Sequence, residues 1–183
     1  MDNDAGAIMY NHKADMIRLG IGLYGVYPSR YVQDETELKL KALMSLKAYV
    51  TNIKYIEKGQ SVSYGCTFTA DKKIKVATIG AGYADGVPRL LSNKGFILVD
   101  GVKCPIIGNV CMDQFMVNID DLDLKVGNVV EIFGEGISVD DIADMCGTIS
   151  YEILCNVGPR VPRLYKKGNK IIEEKWCFRT EVE

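Results

Sequence analysis

Three short stretches carry the residues best suited to chemistry. SVSYGC, residues 61–66, places Tyr64 beside a glycine at the end of an alternating run. GYADG, residues 82–86, is a polar turn after an apolar run, with Tyr83 near its tip. CMDQ, residues 111–114, sets Asp113 among apolar neighbours at the head of another alternating run. A phenol titrates near about pH 10, so Tyr64 can exchange protons at neutral pH only beside a cation or a hydrogen-bonding group. On local grounds a Tyr-Gly pair in a β protein is a packing feature, and an Asp at a strand's start braces a loop. The backbone N–H of Met112 could hold an anion if its turn presents it. A fourth candidate is Arg18-Leu19-Gly20-Ile21, where consecutive N–H groups beside a glycine could cradle a phosphate.

Composition bounds what these residues could serve. Of 183 residues, 48% are hydrophobic and 25% charged, as in a chain with a real core. That length fits one ordinary domain, or one domain plus part of another. A net charge of -2 argues against nucleic acid or an anionic membrane as partner. No apolar run approaches the roughly 20 residues that cross a bilayer. The acidic start MDNDAGAIMY lacks the basic opening of a secretory signal, so a cytoplasmic protein is expected. The 6 cysteines are scattered without a CxxC pair, and His12 is the sole histidine. No metal site is expected, and reduced thiols filling a core are. GAGYADG has GxGxxxG spacing and no amphipathic helix after it, so it does not read as a dinucleotide loop.

Positioning these residues falls mainly to strands. LGIGLYGV, residues 19–26, reads as a strand buried on both faces of a parallel sheet, with no parallel partner elsewhere in the chain. Residues 32–37 are polar and acidic and read as a linker. Strands are expected over 38–56, 61–65, 73–79, 109–119 and 127–134. Residues 95–108 read as a hairpin turning at Asp100-Gly101. Ser138, with Asp141 three residues on, predicts a capped helix ending at Gly147. Thr148 or Ser150 is expected to cap a second helix over 151–157. Residues 160–166 read as a last strand, placed at an edge by Pro162. The fold class is therefore mainly β: an antiparallel β-barrel-like domain with two short helices.

Taken together, DMIRLGIGLYGVYPS, LMSLKAYV, GQSVSYGCTFTA, IGAGYADGVPRLLSNKG, IIGNVCMDQFMVNI, GTISYEILC and RVPRLY are far more specific. In this order, over roughly residues 3–165, the sequence resembles the alanine racemase family of fold-type III pyridoxal-phosphate enzymes. The resemblance implies that residues 1–31 are the remnant of a cofactor-binding (β/α)8 barrel, with 19–26 its eighth strand. It makes 32–37 a linker, 38–166 the family's C-terminal β domain, and 167–183 a charged tail that could add a strand. Tyr64 matches the catalytic tyrosine, which exchanges the α-proton on one face of the substrate in the opposite subunit's site. Arg18 matches the arginine at the pyridine nitrogen of pyridoxal 5′-phosphate. Gly20 and Ile21 match backbone phosphate contacts, and Tyr151 matches the tyrosine whose hydroxyl reaches the phosphate. Met112 matches the residue whose N–H meets the substrate carboxylate, and Tyr83 an entrance residue that limits substrate size. A homodimer, a small amino-acid substrate and D-alanine supply for peptidoglycan are implied with them.

Two departures from the family stand out. Asp4 occupies the place of a phosphate-binding serine, and a carboxylate beside a phosphate dianion is repulsive. No lysine lies in the motif that carries the family's cofactor lysine, so the 183 residues alone are expected to be inactive. A serine racemase of the vancomycin-resistance type shares these motifs and remains an alternative, although Tyr151 leans towards alanine. A non-catalytic interaction or dimerisation module is an alternative of another class.

Overall fold

A computed structural model describes residues 1–10, 14–120 and 122–176. His12, Cys177 and the end of the charged tail lie outside the described residues. The first segment is small and mixed. Strands β1 (Asp2–Asn3) and β2 (Ile17–Arg18) pair in parallel, with Asn3 opposite Arg18. Helix α1 (Asp4–Met9) follows β1 directly, capped by the Asn3 side chain, which accepts the Gly6 N–H.

The strand expected over 19–26 is not formed. Only Ile17–Arg18 is extended, and the chain then turns into a 3-10 helix at Ile21–Tyr24. Gly25 takes φ 77° and its N–H bonds the Gly22 carbonyl, closing the turn, while the Gly22 N–H goes to Asp4 rather than to a sheet neighbour. The apolar run is half right about burial: Ile21 and Val26 are buried, but Leu19, Leu23 and Tyr24 are exposed. β1 pairs in parallel only with Ile17–Arg18, just before the run, and no residue of 19–26 joins it. The expected linker is also partly helical. Helix α2 (Arg30–Glu35) is capped by Ser29, whose hydroxyl accepts the Val32 N–H, and it buries Val32.

A closed antiparallel barrel follows. Its strands are β3 (Leu46–Ile56), β6 (Ile74–Ile79), β7 (Phe96–Val99), β8 (Val102–Ile107), β9 (Phe115–Asn118) and β10 (Val129–Phe133), in the order β10-β3-β6-β9-β8-β7. A bridge between Glu131 and Leu98 closes it. The Asp100-Gly101 turn has φ 49° and 80°, as a type I′ hairpin requires. Alternation drives Val50, Ala77, Ile79, Ile97, Ile106, Phe115 and Val117 inward. The reading of 109–119 as a single strand is shortened to Phe115–Asn118, because residues 111–114 form a hydrogen-bonded turn, Cys111 N–H to the Gln114 carbonyl.

Outside the barrel, β4 (Ser61–Val62) and β5 (Phe68–Thr69) make a small hairpin. A second apolar cluster of Ile56, Val62, Ala70, Ile74, Val76, Ile107 and Met116 seats it on the barrel wall. Helix α3 (Val139–Cys146) has the expected capping box between Ser138 and Asp141 and the expected left-handed Gly147. Helix α4 (Ser150–Cys155) starts without a side-chain cap, contrary to expectation. The Thr148 and Ser150 hydroxyls instead donate to the carboxylates of Glu152 and Asp140. Both helices press Ile142 and Ile153 onto the barrel core. Among the described residues the last element is a hairpin of β11 (Arg163–Lys167) and β12 (Lys170–Lys175), whose second strand lies in the stretch read as a charged tail. Among the described residues no helix is long and apolar enough to cross a membrane.

The cysteines divide by burial. Cys104, Cys111 and Cys146 are buried free thiols, whereas Cys66 and Cys155 are exposed. Burial, reinforced by the Asp120 charge, pushes the Cys104 thiol up to about 11. Iodoacetamide at pH 8 should therefore label Cys66 and Cys155 and spare Cys104, as peptide mass spectrometry would read.

Candidate functional site

Tyr64 stands at the tip of the β4–β5 hairpin rather than within a strand. Ser63 takes φ 67°, Gly65 74° and Cys66 47°, so three residues around the tyrosine adopt left-handed or related backbone. Non-glycine residues in such conformations cost on the order of 1–3 kcal/mol and persist only where neighbours impose them. The neighbours here are specific. The Ser63 hydroxyl donates to the Asn109 carbonyl at 2.8 Å, and the Asn109 side-chain amide donates to the Tyr64 carbonyl at 2.7 Å. The turn throws the phenol outward, leaving Tyr64 79% exposed. A groove of about 480 Å³ runs beside it, lined by Thr51, Lys54, Cys111, Gln114 and Met116 among others.

Asn109 was not singled out in the sequence, since nothing local marks an asparagine that acts on a loop 45 residues away. Asn109→Ala should lower the Tm by roughly 2–4 °C, the loss of one hydrogen bond worth about 1 kcal/mol. Hydrogen exchange should rise over 61–67 and leave the barrel strands unchanged.

GYADG and CMDQ are stitched to each other. The Tyr83 N–H donates to the Cys111 carbonyl at 2.9 Å, and the Ala84 N–H to the Met112 carbonyl at 3.0 Å. GYADG is a short 3-10 turn, Tyr83–Asp85, closed by the Gly82 N–H donating to the Asp85 carboxylate. Arg160 then bridges both loops, its Nε 2.8 Å from Asp85 and its Nη2 2.5 Å from Asp113. The hydrogen bond to Asp113, with the Asp85 charge, raises the guanidinium pKa further. Asp113 is thus the loop brace read from the sequence. Ser63 Oγ also lies 3.5 Å from Cys111 Sγ, tying the Tyr64 turn to the same loops. Met112 is half exposed, and no acceptor takes its N–H among the described residues. Tyr83 is 46% exposed.

Arg18, Gly20, Ile21 and Tyr151 belong to a second group. The Gly20 N–H does face an anion, but the anion is the Asp4 carboxylate, 2.8 Å away, and the other N–H on Asp4 is that of Gly22, at 2.7 Å, rather than Ile21. Ile21 is buried, and Arg18 is exposed with no ion pair among the described residues. Tyr151 lies in the first turn of α4, and burial followed by the charge of Asp4 raises its phenol pKa. Of the residues expected to hold a phosphate ester, Gly20 gives its N–H to the Asp4 carboxylate, and Tyr151 lies near enough to feel that charge. They do not fit a phosphate dianion at that place. No hydrogen bond or ion pair joins this group to the Tyr64, Tyr83 and Met112 group among the described residues. No cluster of His, Cys, Asp and Glu suited to a metal ion occurs among them either.

Comparison with known proteins gives one consistent answer. The family model described as "Alanine racemase, C-terminal domain" matches residues 43–165. The alanine racemase of Clostridium novyi (strain NT) is 47% identical over 163 residues, covering 86% of this chain and 42% of that relative. The crystal structure of alanine racemase from Bacillus anthracis with bound L-Ala-P superposes with a TM-score of 0.89 at 34% identity, covering 95% of this chain and 46% of that one. The alanine racemase from Bartonella henselae with covalently bound pyridoxal phosphate gives 0.71 at 38% identity, covering 79% and 40%. The chain spans less than half the length of the curated relatives it matches.

Proposed function

The chain belongs to the alanine racemase family through that family's C-terminal domain, and on this premise we propose that it supplies Tyr64 as a proton carrier to the active site of a partner racemase subunit. The observation that carries this reading is the phenol itself. It is 79% exposed on a turn fixed by Ser63 and Asn109, and it is unconnected to the chain's own Asp4–Tyr151 group. A side chain built so rigidly and then left outside is suited to completing a site formed elsewhere.

In that site the phenol oxygen gives a proton to, or takes one from, the α-carbon of alanine on a single face. Racemisation needs a second group on the opposite face, and in the family that group is a lysine outside the motifs present in these residues. The Met112 N–H, which no acceptor takes among the described residues, would bind the substrate carboxylate and so fix the α-carbon relative to Tyr64. Tyr83, held to the Met112 loop through its neighbour Ala84, narrows the entrance and favours a methyl side chain. Lys54 lines the groove beside Tyr64. The cofactor of the assembled enzyme belongs to the receiving site. The product, D-alanine, would serve peptidoglycan synthesis. These 183 residues by themselves are proposed not to racemise alanine.

The test is complementation in trans. The full-length Clostridium novyi enzyme, with Phe in place of its tyrosine matching Tyr64, is mixed with this chain. Conversion of L- to D-alanine is followed by chiral chromatography. Restored conversion is expected. Two chains that co-purify without restored conversion, or that never associate, contradict the proposal.

A further inference from the structure

We propose that Asp4 is a built-in occupant of this chain's anion cradle and bars a phosphate monoester from it. The two carboxylate oxygens take one backbone N–H each, Gly20 at 2.8 Å and Gly22 at 2.7 Å. These are short, charge-assisted hydrogen bonds of the type a phosphate would make with the same donors. Asp4 is 6% exposed, so its carboxylate is held inside rather than swung into water. It also fills the space above both glycines: a Cβ added at Gly20 or at Gly22 would lie 3.3 Å from its Oδ2.

The placement follows from the backbone. The parallel pairing of Asn3 with Arg18 sets the next residue, Asp4, beside the turn that begins at Gly20. Asp4 is therefore delivered to the N–H groups by strand register, and α1 fixes it from the other side. A tethered anion reaches the donors without the association entropy that a diffusing anion must overcome. A phosphate dianion entering here would displace two hydrogen bonds and meet a negative charge. Among the described residues no cation pairs with Asp4, and Arg18, which is exposed, makes no ion pair. Tyr151 senses the same carboxylate, whose charge adds to burial in raising its phenol pKa.

The inference rests on the racemase reading only in taking the cradle as a seat for a phosphate ester. Rescue by Tyr64 tests that reading, and the binding measurements below test this one, so either can fail alone. Pyridoxine 5′-phosphate and pyridoxine serve as probes because neither carries an aldehyde that would react with lysines. Binding is measured by equilibrium dialysis at constant ionic strength, and inorganic phosphate is added in parallel thermal melts. The unaltered chain is expected to bind the two pyridoxines equally and to show no phosphate-dependent shift in Tm. Asp4→Ser, which leaves a small donor in place of the charge, is expected to prefer the phosphorylated probe by roughly tenfold or more. Its Tm should start lower and rise with phosphate concentration. A tenfold preference in the unaltered chain, or an Asp4→Ser chain indifferent to phosphate, overturns the proposal. Should Asp4→Ser fail to fold, the unaltered chain decides alone: equal binding supports the occupied cradle and preference for the phosphate ester refutes it.

Discussion

Tyr64→Phe should abolish the proposed ability of this chain to restore alanine racemisation to a tyrosine-deficient partner, with an expected loss on the order of 10²–10⁴-fold, the usual contribution of a positioned acid or base. The change removes one oxygen and nothing that holds the fold. The phenol makes no hydrogen bond among the described residues, and the residue is 79% exposed. The stability of the variant should stay within about 0.5 kcal/mol of the parent, as for surface substitutions generally. Association with the partner should persist as well. The separation of lost rescue from unchanged folding and binding is the signature of a group acting on protons. An interaction module would show no such separation, since its function would survive loss of the hydroxyl.

Gly82→Ala should damage both the fold and the site. Gly82 lies against the Cys111–Met112 peptide so closely that an added Cβ would meet the Cys111 oxygen at 2.2 Å and the Met112 oxygen at 2.3 Å. Backbone atoms cannot swing aside as a side-chain tip can, so GYADG and CMDQ must separate. The bonds from Tyr83 and Ala84 to those same carbonyls would lengthen or break, and Arg160 could no longer reach Asp85 and Asp113 together. A cost of about 3 kcal/mol is expected, with a fall in Tm on the order of 10 °C. Rescue of racemisation should fall with it even at temperatures where the variant is folded, because Met112 moves relative to Tyr64. Gly158→Ala is the control. Its Cβ would meet only the Ala84 oxygen at 3.9 Å, an ordinary contact, and both readouts should be nearly unchanged.

Much of the barrel could be read from the chain because its signals are local. Asp100-Gly101 dictates a turn by backbone conformation, Ser138 and Asp141 announce a helix start, and residues 74–79 alternate as a half-buried strand must. The Tyr64 turn was less legible. SVSYG continues an alternating pattern, yet the chain leaves the strand at Ser63 because Asn109, far along the sequence, holds it there. Helix α2 escaped notice for a different reason: with six residues it has a single buried position, Val32, too little for a periodic signal. The apolar run at 19–26 suggested a strand by hydrophobicity alone, whereas Gly22 and Gly25 and the Asp4 carboxylate make it a turn.

The candidate site shows the same division. Family resemblance brought out Tyr64, Tyr83, Met112 and Tyr151, but the residues that fix them in place come from pairings no local pattern encodes. Arg160 reaches Asp113 across 47 residues of sequence. Asp4 was recognisable as a misfit beside a phosphate, since its charge is visible in the sequence. That its carboxylate satisfies Gly20 and Gly22 depends on the β1–β2 register, which two-residue strands do not announce.

The most direct measurement is exchange of the α-hydrogen of alanine in D2O, read by proton NMR for each enantiomer separately. A partner racemase without its tyrosine keeps a base on one face and should exchange one enantiomer only. Adding the unaltered chain should open exchange of the other enantiomer, and adding Tyr64→Phe should not. If Tyr64→Phe opens exchange of both enantiomers as fully as the unaltered chain does, Tyr64 is not the proton carrier and the account fails.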